Sequence, residues 1–263
     1  MTNFAFKYFY KNAIILNSNK FCQILIKISE RTHMSPLKPF NIYGDKFIPT
    51  TGFHGTNISQ QRIDKLDISC LSFIEDSLSA GASIQAIDLC GGAGAQSKRM
   101  ARLGANVVLI DLSQTNAEIE AFNIEEKLGK ITLLKRDARH IPDEDLPVKI
   151  DCFYSQRMIN YIPYHDALSL LCRFKKKSGV KAKFFISSGG IETEYGQTYL
   201  EKDKPIAQRF GPLSEEMSTK HGINTPVCLY REQELCDLLE KAGLQILDSW
   251  TSIFGNPKII AQV

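Results

Sequence analysis

The stretch from Ile84 to Gln96 constrains the fold of this chain more than any other part of the sequence. A short apolar run ends at Asp88, and glycines follow at positions 91, 92 and 94. Such a run, followed by glycines and a helix-compatible segment, predicts a buried parallel strand, a tight turn and the N-terminus of a helix. Glycines let the backbone approach a ligand closely, and the free N–H groups of a helix start attract a negative group. The stretch therefore predicts a nucleotide-type binding corner.

Strand and helix patterns alternate along the rest of the chain. Apolar spacing predicts a first helix that is capped by Ser59 and ends at Gly81, and later helices that begin at Ser113, at about His165 and at Arg231. Five strands are predicted at Ile84–Asp88, Asn106–Asp111, Ile131–Lys135, Ile150–Tyr154 and Lys183–Ser187. Because parallel strands need helical crossovers, this alternation predicts a doubly wound α/β sheet with helices on both faces.

The C-terminal end departs from the alternation. The segments Leu244–Thr251 and Lys258–Val263 flank Gly255 and Asn256, which predicts an antiparallel hairpin. The expected fold is therefore a mostly parallel, seven-stranded sheet with an antiparallel terminal strand. Residues 189–228 interrupt the rhythm with glycines, prolines and tyrosines, and we expect a lid-like insertion at the carboxyl edge of the sheet.

The domain division follows from these patterns. Residues 83–263 are predicted to form one Rossmann-like domain, and residues 34–82 a loop-rich lead-in with a helix. Residues 1–33 form a leader with a net charge of +4. Three interpretations of the leader stay open: a poorly ordered or non-native extension before Met34, a membrane-surface or organelle-targeting segment, and a helix packed on the body.

Composition limits the function classes. The seven cysteines are odd in number and contain no C-x-x-C pair, which favours free thiols in the reducing cytoplasm over a disulfide framework or a zinc site. No run of eighteen apolar residues is present, so we expect no transmembrane segment. Residues 34–263 have a net charge of −1, which makes nucleic acid an improbable partner of the body.

The glycine pattern itself argues against a dinucleotide. After Gly92 and Gly94, the third glycine of the G-x-G-x-x-G pattern is replaced by Ser97. Asp88 lies three residues before Gly91, the first glycine of the turn, where its charge would repel a pyrophosphate. An acid at this place suits a cationic ligand such as S-adenosylmethionine, whose ammonium group Asp88 could bind directly or through water.

The segment AIDLCGGAGAQSKRMARLGANVVLIDLS resembles the first two motifs of class I S-adenosylmethionine-dependent methyltransferases. The cofactor half is also similar to small-molecule methyltransferases of ubiquinone and menaquinone biosynthesis. Cys90 stands at the family's first glycine position, whereas Gly92 and Gly94 match. The resemblance implies that Asp111 binds the ribose hydroxyls and that Leu112 flanks the adenine. It also implies that Asp137 and the Ala138 backbone bind the adenine edge, and that Ser155 and Gln156 line the methyl-donor end.

The acceptor side is less constrained by the sequence. Arg157, Tyr161, Tyr195 and Tyr199 are candidate substrate-lining residues, together with Tyr164 and Phe210. The aromatic side chains predict an apolar or aromatic small molecule, with plain core and lid packing as an equal alternative. Two interpretations of Arg157 stay open: a clamp for a substrate carboxylate, and a salt bridge within its own loop. His165 is a weak candidate for a base, and His54 and His140 have weaker claims. The run Lys175–Lys177 leaves a nucleic-acid or protein methyltransferase as an alternative, and a non-catalytic cofactor-binding module as another. The acceptor and the oligomeric state stay undetermined.

Overall fold

The structure is a computed structural model that describes residues 63–112 and 116–263. The predicted leader, most of the lead-in, His54 and the two predicted caps Ser59 and Ser113 lie outside the described residues. The division into leader, lead-in and domain stays a prediction.

A seven-stranded sheet forms the centre of the described part of the chain. Its strands lie in the order β3-β2-β1-β4-β5-β7-β6, and only β7 runs antiparallel to its neighbours β5 and β6. The strands are β1 Gln85–Leu89, β2 Asn106–Asp111, β3 Ile131–Lys135, β4 Ile150–Gln156, β5 Ser178–Ser187, β6 Gln245–Thr251 and β7 Pro257–Gln262. This order confirms the predicted mostly parallel sheet with an antiparallel terminal strand.

Helices cover both faces of the sheet. They are α1 Lys65–Ser79, α2 Ala95–Leu103, α3 Asn116–Glu125, α4 Tyr164–Lys176, α5 Glu194–Gln197, α6 Glu215–His221 and α7 Glu232–Lys241. Neighbouring residues of β4 show the two layers, because successive side chains of a strand point to opposite faces. Phe153 stacks near Phe174 of α4, at 4.8 Å between ring centroids, whereas the hydroxyl of Tyr154 donates to Asp67 of α1. The doubly wound arrangement is thus confirmed.

The first described helix begins later than its apolar pattern suggests. Asp64 is the N-cap of α1, since its carboxylate accepts the N–H groups of Leu66 and Asp67. The Asp67 carboxylate in turn accepts the N–H of Asp64 at 2.7 Å, which completes a capping box.

The predicted insertion, residues 189–228, contains α5 and α6 and has a small apolar core of its own. That core consists of Tyr199, Leu213, Met217, Ile223, Val227 and Leu229. Arg209 joins it to α7: the guanidinium is 2% exposed and forms a two-pronged ion pair with Glu234, with N–O distances of 2.5 and 2.7 Å. Its remaining donors bind the carbonyls of Lys204 and Leu229. The insertion is therefore a packed unit that is anchored to the domain.

Within the described residues, no helix has both the length and the apolar character that a membrane span requires.

Candidate cofactor site

The glycine loop lies between β1 and α2, at the carboxyl edge of the sheet. Cys90, Gly92 and Gly94 have φ angles of +57°, +55° and +72°, so the chain turns sharply here, and Gly94 is the N-cap of α2. Gly91 has no room for a side chain, because a Cβ atom there would lie 2.5 Å from Cγ of Asp88 and 2.6 Å from Cδ1 of Leu109. The loop backbone thus folds tightly over the end of β1 and β2, as a cradle for a closely bound ligand requires.

Asp88, near the end of β1, packs against Gly91 of this loop. Its side chain is buried, Oδ2 accepts a hydrogen bond from the Ser97 hydroxyl at 2.6 Å, and Oδ1 has no hydrogen-bond partner within the described part of the chain. Burial raises the pKa of Asp88 to about 7. Ser97, which replaces the third glycine of a dinucleotide motif, is therefore the residue that holds the Asp88 carboxyl. The predicted contact between Asp88 and a cationic ligand stays a prediction.

Asp111 ends β2 and ties that strand to the loop. Its Oδ2 atom accepts the N–H of Gly92 at 2.8 Å, and the residue is half-buried. The next residue, Leu112, is 59% exposed, although apolar side chains usually avoid such exposure. An acid beside an exposed apolar side chain fits a ligand that has both hydroxyl groups and a flat apolar ring.

Asp137 follows β3 and caps a short 3-10 turn over Ala138–His140. Its carboxylate accepts the N–H of Arg139 at 2.9 Å and pairs with the Arg139 guanidinium at 2.6 Å. These hydrogen bonds with Arg139 hold the pKa of Asp137 low, at about 2, so the group is ionised. Ala138 is buried. A carboxylate has further acceptor capacity beside the bond to Arg139, so a role for Asp137 at the adenine stays compatible with this geometry.

The three predicted carboxylates act together on the Cys90 thiol. Burial raises the pKa of this thiol far above its ordinary value, and the charges of Asp111, Asp88 and Asp137 raise it further. Each of these acids lies at the carboxyl end of a different strand, and β1, β2 and β3 are parallel neighbours, so the sheet brings the three acids to one edge.

A polar network that the sequence did not reveal closes the β4 side of the crevice. Nε2 of Gln156 donates to Oδ2 of Asp64 at 2.7 Å, and Nζ of Lys258 donates to the same oxygen at 2.5 Å. Burial opposes ionisation of Asp64, but the attraction of Lys258 outweighs it and lowers the pKa of that carboxyl. The α1 N-terminus is thus fixed to the ends of β4 and β7 beside the predicted methyl-donor end.

Asp67 and Tyr154 extend this network inward. Burial and the nearby Asp64 charge raise the pKa of Asp67 to about 6. The neighbouring residue of β4, Ser155, is fully buried, and its hydroxyl lacks a hydrogen-bond partner among residues 63–112 and 116–263. An unpaired buried hydroxyl is costly, so Ser155 keeps hydrogen-bonding capacity that no described residue uses. Two local sequence signals of this network did not enter the predictions: the D-x-x-D spacing of Asp64 and Asp67, and a lysine in the apolar strand β7.

The predicted substrate-lining residues separate into two groups. Arg157 is exposed directly after β4, and Tyr161 and Tyr195 are half-buried near it. Tyr199 is fully buried, and its hydroxyl donates to the carbonyls of Arg209 and Val227. Tyr199 is therefore a core residue of the insertion, and its place on the crevice lining stays a prediction without support from these contacts.

The remaining candidates for the acceptor side are Tyr164, Phe210, His165 and His140. Tyr164 is buried and accepts a hydrogen bond from Lys241, whereas Phe210 is 37% exposed. His165 is exposed and lies edge-on to Tyr164, and His140 is exposed near Asp137. The described contacts join neither histidine to Arg157, Tyr161 or Tyr195. A role for His165 as a base stays a prediction without support from these contacts.

Comparisons with known proteins address the cofactor half directly. Residues 86–179 match the family model described as a methyltransferase domain. This range includes the glycine loop, Asp111 and Asp137. Residues 86–179 thus belong to a methyltransferase domain, and the sheet of that domain continues beyond them to β6 and β7. The chain is an S-adenosylmethionine-dependent methyltransferase, and its cofactor is S-adenosylmethionine.

Solved structures share the fold of this methyltransferase. An S-adenosylmethionine-dependent methyltransferase from Clostridium acetobutylicum ATCC 824 has a TM-score of 0.52 and 12% identity, over 76% of this chain and 92% of its own. The 1,6-didemethyltoxoflavin-N1-methyltransferase from Burkholderia thailandensis has a TM-score of 0.53 and 14% identity, over 75% of this chain and 78% of its own. No curated protein matches the sequence significantly. At these identities the similarity establishes the fold and no finer property.

The residues of the methyltransferase fit this cofactor. The loop leaves no space for a Cβ atom at Gly91, and the buried Oδ1 of Asp88 and the buried hydroxyl of Ser155 are unpartnered in the described part of the chain. The ionised Asp137 and the exposed Leu112 lie at the opposite end of the crevice. A ligand with a hydroxylated sugar between an amino-acid end and a flat base matches this distribution of polar and apolar groups.

Proposed function

We propose that this methyltransferase transfers a methyl group from S-adenosylmethionine to a small-molecule acceptor, with an aromatic or apolar framework. The observation that carries the cofactor assignment is the convergence of Asp88, Asp111 and Asp137 around Cys90 and the glycine loop. In the proposal, Asp111 binds the ribose hydroxyls, Leu112 flanks the adenine, and Asp137 and the Ala138 backbone bind the adenine edge. Ser155 and Gln156 line the methyl-donor end.

The cofactor supplies a methyl group that is already activated by its sulfonium. The protein therefore has to orient the acceptor and exclude water. Residues of the insertion support this role, because Tyr195 of α5 approaches the carboxyl end of β5: a Cβ at Gly189 would lie 3.0 Å from the Tyr195 hydroxyl. Tyr195 and Tyr161 thus supply apolar surface beside the predicted methyl-donor end.

Two further observations favour a small acceptor. The methyltransferase from Burkholderia thailandensis was solved with 1,6-didemethyltoxoflavin and S-adenosylhomocysteine bound. The lysine run at the end of α4, by contrast, leads into the amino end of β5, and the Lys177 carbonyl accepts the N–H of Ile150 at the start of β4. These lysines lie at the edge of the sheet opposite the glycine loop, so they are poorly placed to bring a nucleic acid to the cofactor.

Calorimetric titration with S-adenosylhomocysteine tests the cofactor assignment. Asp111→Ala removes a carboxylate that binds both the loop and, in our proposal, the ribose, so we expect about a tenfold or greater loss of affinity. Asp203→Ala, which removes an exposed acid of the insertion, is the matched control and should leave affinity unchanged. Equal affinities for the wild type and Asp111→Ala, or no binding to the wild type at millimolar ligand, would refute the proposed site.

A further inference from the structure

Arg157 combines an unusual backbone with an open position. It is the first residue after β4, and its φ angle is +56°. Residues other than glycine, asparagine and aspartate seldom adopt this left-handed conformation, and such residues cluster at functional sites. The Arg157 N–H donates to the carbonyl of Ser187 at 2.9 Å, with the Ser187 hydroxyl 3.2 Å away, so the neighbouring strand β5 holds the turn in place. The side chain is exposed at the carboxyl edge of the sheet.

Two tyrosines lie close enough to Arg157 to respond to its charge. Burial raises the pKa of Tyr161 to about 12 and also raises that of Tyr195, while the Arg157 charge acts on both in the opposite direction. Both hydroxyls are therefore neutral at physiological pH. Tyr195 lies edge-on to His221, with 5.1 Å between the ring centroids, and its hydroxyl is 3.4 Å from Oδ1 of Asn256. The two tyrosine rings therefore lie beside the charge of Arg157.

The Arg157 guanidinium differs from the other arginines of the described residues. Each of the others has a partner within the chain: Arg136 pairs with Asp145, Arg139 with Asp137, Arg173 with Asp143, and Arg209 and Arg231 with Glu234, whereas Arg99 and Arg102 contact Gln96 and Phe122. The guanidinium of Arg157 has no hydrogen-bonding or acidic partner in residues 63–112 and 116–263. Its donors are therefore available to a ligand at the carboxyl edge of the sheet, where Arg157 follows β4.

We propose that the methyl acceptor carries a carboxylate, which Arg157 binds through its guanidinium while Tyr161 and Tyr195 pack against the acceptor's planar framework. A guanidinium fork matches the two oxygens of a carboxylate, and a neutral isostere cannot replace that match. This inference rests on the proposed function, because it specifies the acceptor of the same site. It makes Arg157 a specificity-determining residue.

Matched pairs of probes test the inference on the full chain saturated with S-adenosylhomocysteine. Benzoate is compared with benzamide, and 2-naphthoate with 2-naphthamide, by calorimetric titration. We expect each carboxylate to bind at least about tenfold more tightly than its carboxamide, as a charge-assisted pair implies. Arg157→Met should abolish this preference, and Arg157→Lys should retain only part of it. Lys181→Met removes an exposed charge near the amino end of β5 and should retain the full preference.

A fourth variant separates binding from folding. Arg157→Gly also removes the guanidinium, but it relieves the left-handed backbone, so we expect a melting temperature about 2 °C higher together with a lost carboxylate preference. Equal affinity for the two members of each pair, or no saturable binding of either carboxylate, overturns the inference. If S-adenosylhomocysteine still binds in that case, the proposed cofactor function stands, whereas failure of S-adenosylhomocysteine binding removes both.

Discussion

At the scale of single residues, Cys90 stands where the glycine loop needs a left-handed backbone. Its φ angle is +57°, while its side chain packs against the main apolar core. The thiol therefore contributes burial at a position whose backbone favours glycine. These two contributions oppose each other, and a pair of substitutions separates them.

Cys90→Ala and Cys90→Gly both remove the thiol, but only glycine relieves the backbone. We expect Cys90→Gly to be more stable than Cys90→Ala by about 1 kcal/mol, because a Cβ atom in the left-handed region costs roughly that amount. Urea denaturation of the two variants measures the difference. Equal stabilities would mean that the loop relaxes at Cys90 and that its turn is less constrained than the geometry indicates.

The positions of the three acids were predictable at this scale, and the burial of Tyr199 was not. Asp88, Asp111 and Asp137 each follow an apolar run, so strand periodicity alone places them at one edge of a parallel sheet. Tyr199 lies in the insertion, where no periodicity fixes which side chains face inward. Its hydroxyl binds two backbone carbonyls, and such contacts between distant segments have no local sequence signal.

At the scale of secondary-structure elements, the ion pair between Arg209 and Glu234 connects the insertion to α7. Arg209 is 2% exposed and binds two carbonyls in addition to the carboxylate. Arg231 reaches the same carboxylate at 3.1 Å, but its side chain is 44% exposed. The two arginines therefore bind the same carboxylate, one from a buried position and one from an exposed position, so substitutions of the two can be compared.

Arg209→Met should destabilise the protein by about 3 kcal/mol, because it leaves Glu234 and the carbonyls without their buried partner. Hydrogen exchange of residues 189–228 should become faster, while the exchange of β1 and β2 changes less. Arg231→Met should cost less than about 1 kcal/mol, as exposed pairs do. Similar costs for the two variants would show that burial of Arg209 does not determine how firmly the insertion is held.

Element boundaries were predictable to different extents. β2 and β3 match their predicted ranges, because each is an apolar run between polar turns. β5 begins at Ser178, five residues before its predicted start, since its first residues are exposed and lack an apolar pattern. The network of Asp64, Gln156 and Lys258 joins three distant parts of the chain, so only the folded structure reveals it.

At the scale of the whole molecule, two buried carboxyls couple stability to pH. The pKa values of Asp88 and Asp67 are raised to about 7 and about 6 in the folded protein, mainly by burial, from 3.8. Between pH 3.8 and these raised pKa values, the folded state binds more protons than the unfolded state. Protonation of the two acids therefore stabilises the fold fully below their unfolded pKa, and this stabilisation is lost as the pH rises through 6 and 7.

We expect the free energy of unfolding to increase as the pH falls from 8 to 6.5, with a slope of at most about 1.4 kcal/mol per pH unit for each proton. This window avoids most of the opposing effect of His221, whose pKa burial lowers. Urea denaturation at several pH values measures the slope. Asp88→Asn, which stays neutral, should have a smaller slope, and an unchanged slope would show that Asp88 does not titrate in this range.

The separate core of the insertion has a consequence for how this enzyme can be altered. None of its six core residues, Tyr199, Leu213, Met217, Ile223, Val227 and Leu229, belongs to the larger core that packs against the central sheet. A mutant library restricted to residues 189–227, with Ile206 kept because it packs against the larger core, would therefore vary the proposed acceptor side while the supports of the glycine loop keep their packing. Laboratory evolution towards new acceptors has in this segment a starting point that spares the methyl donor.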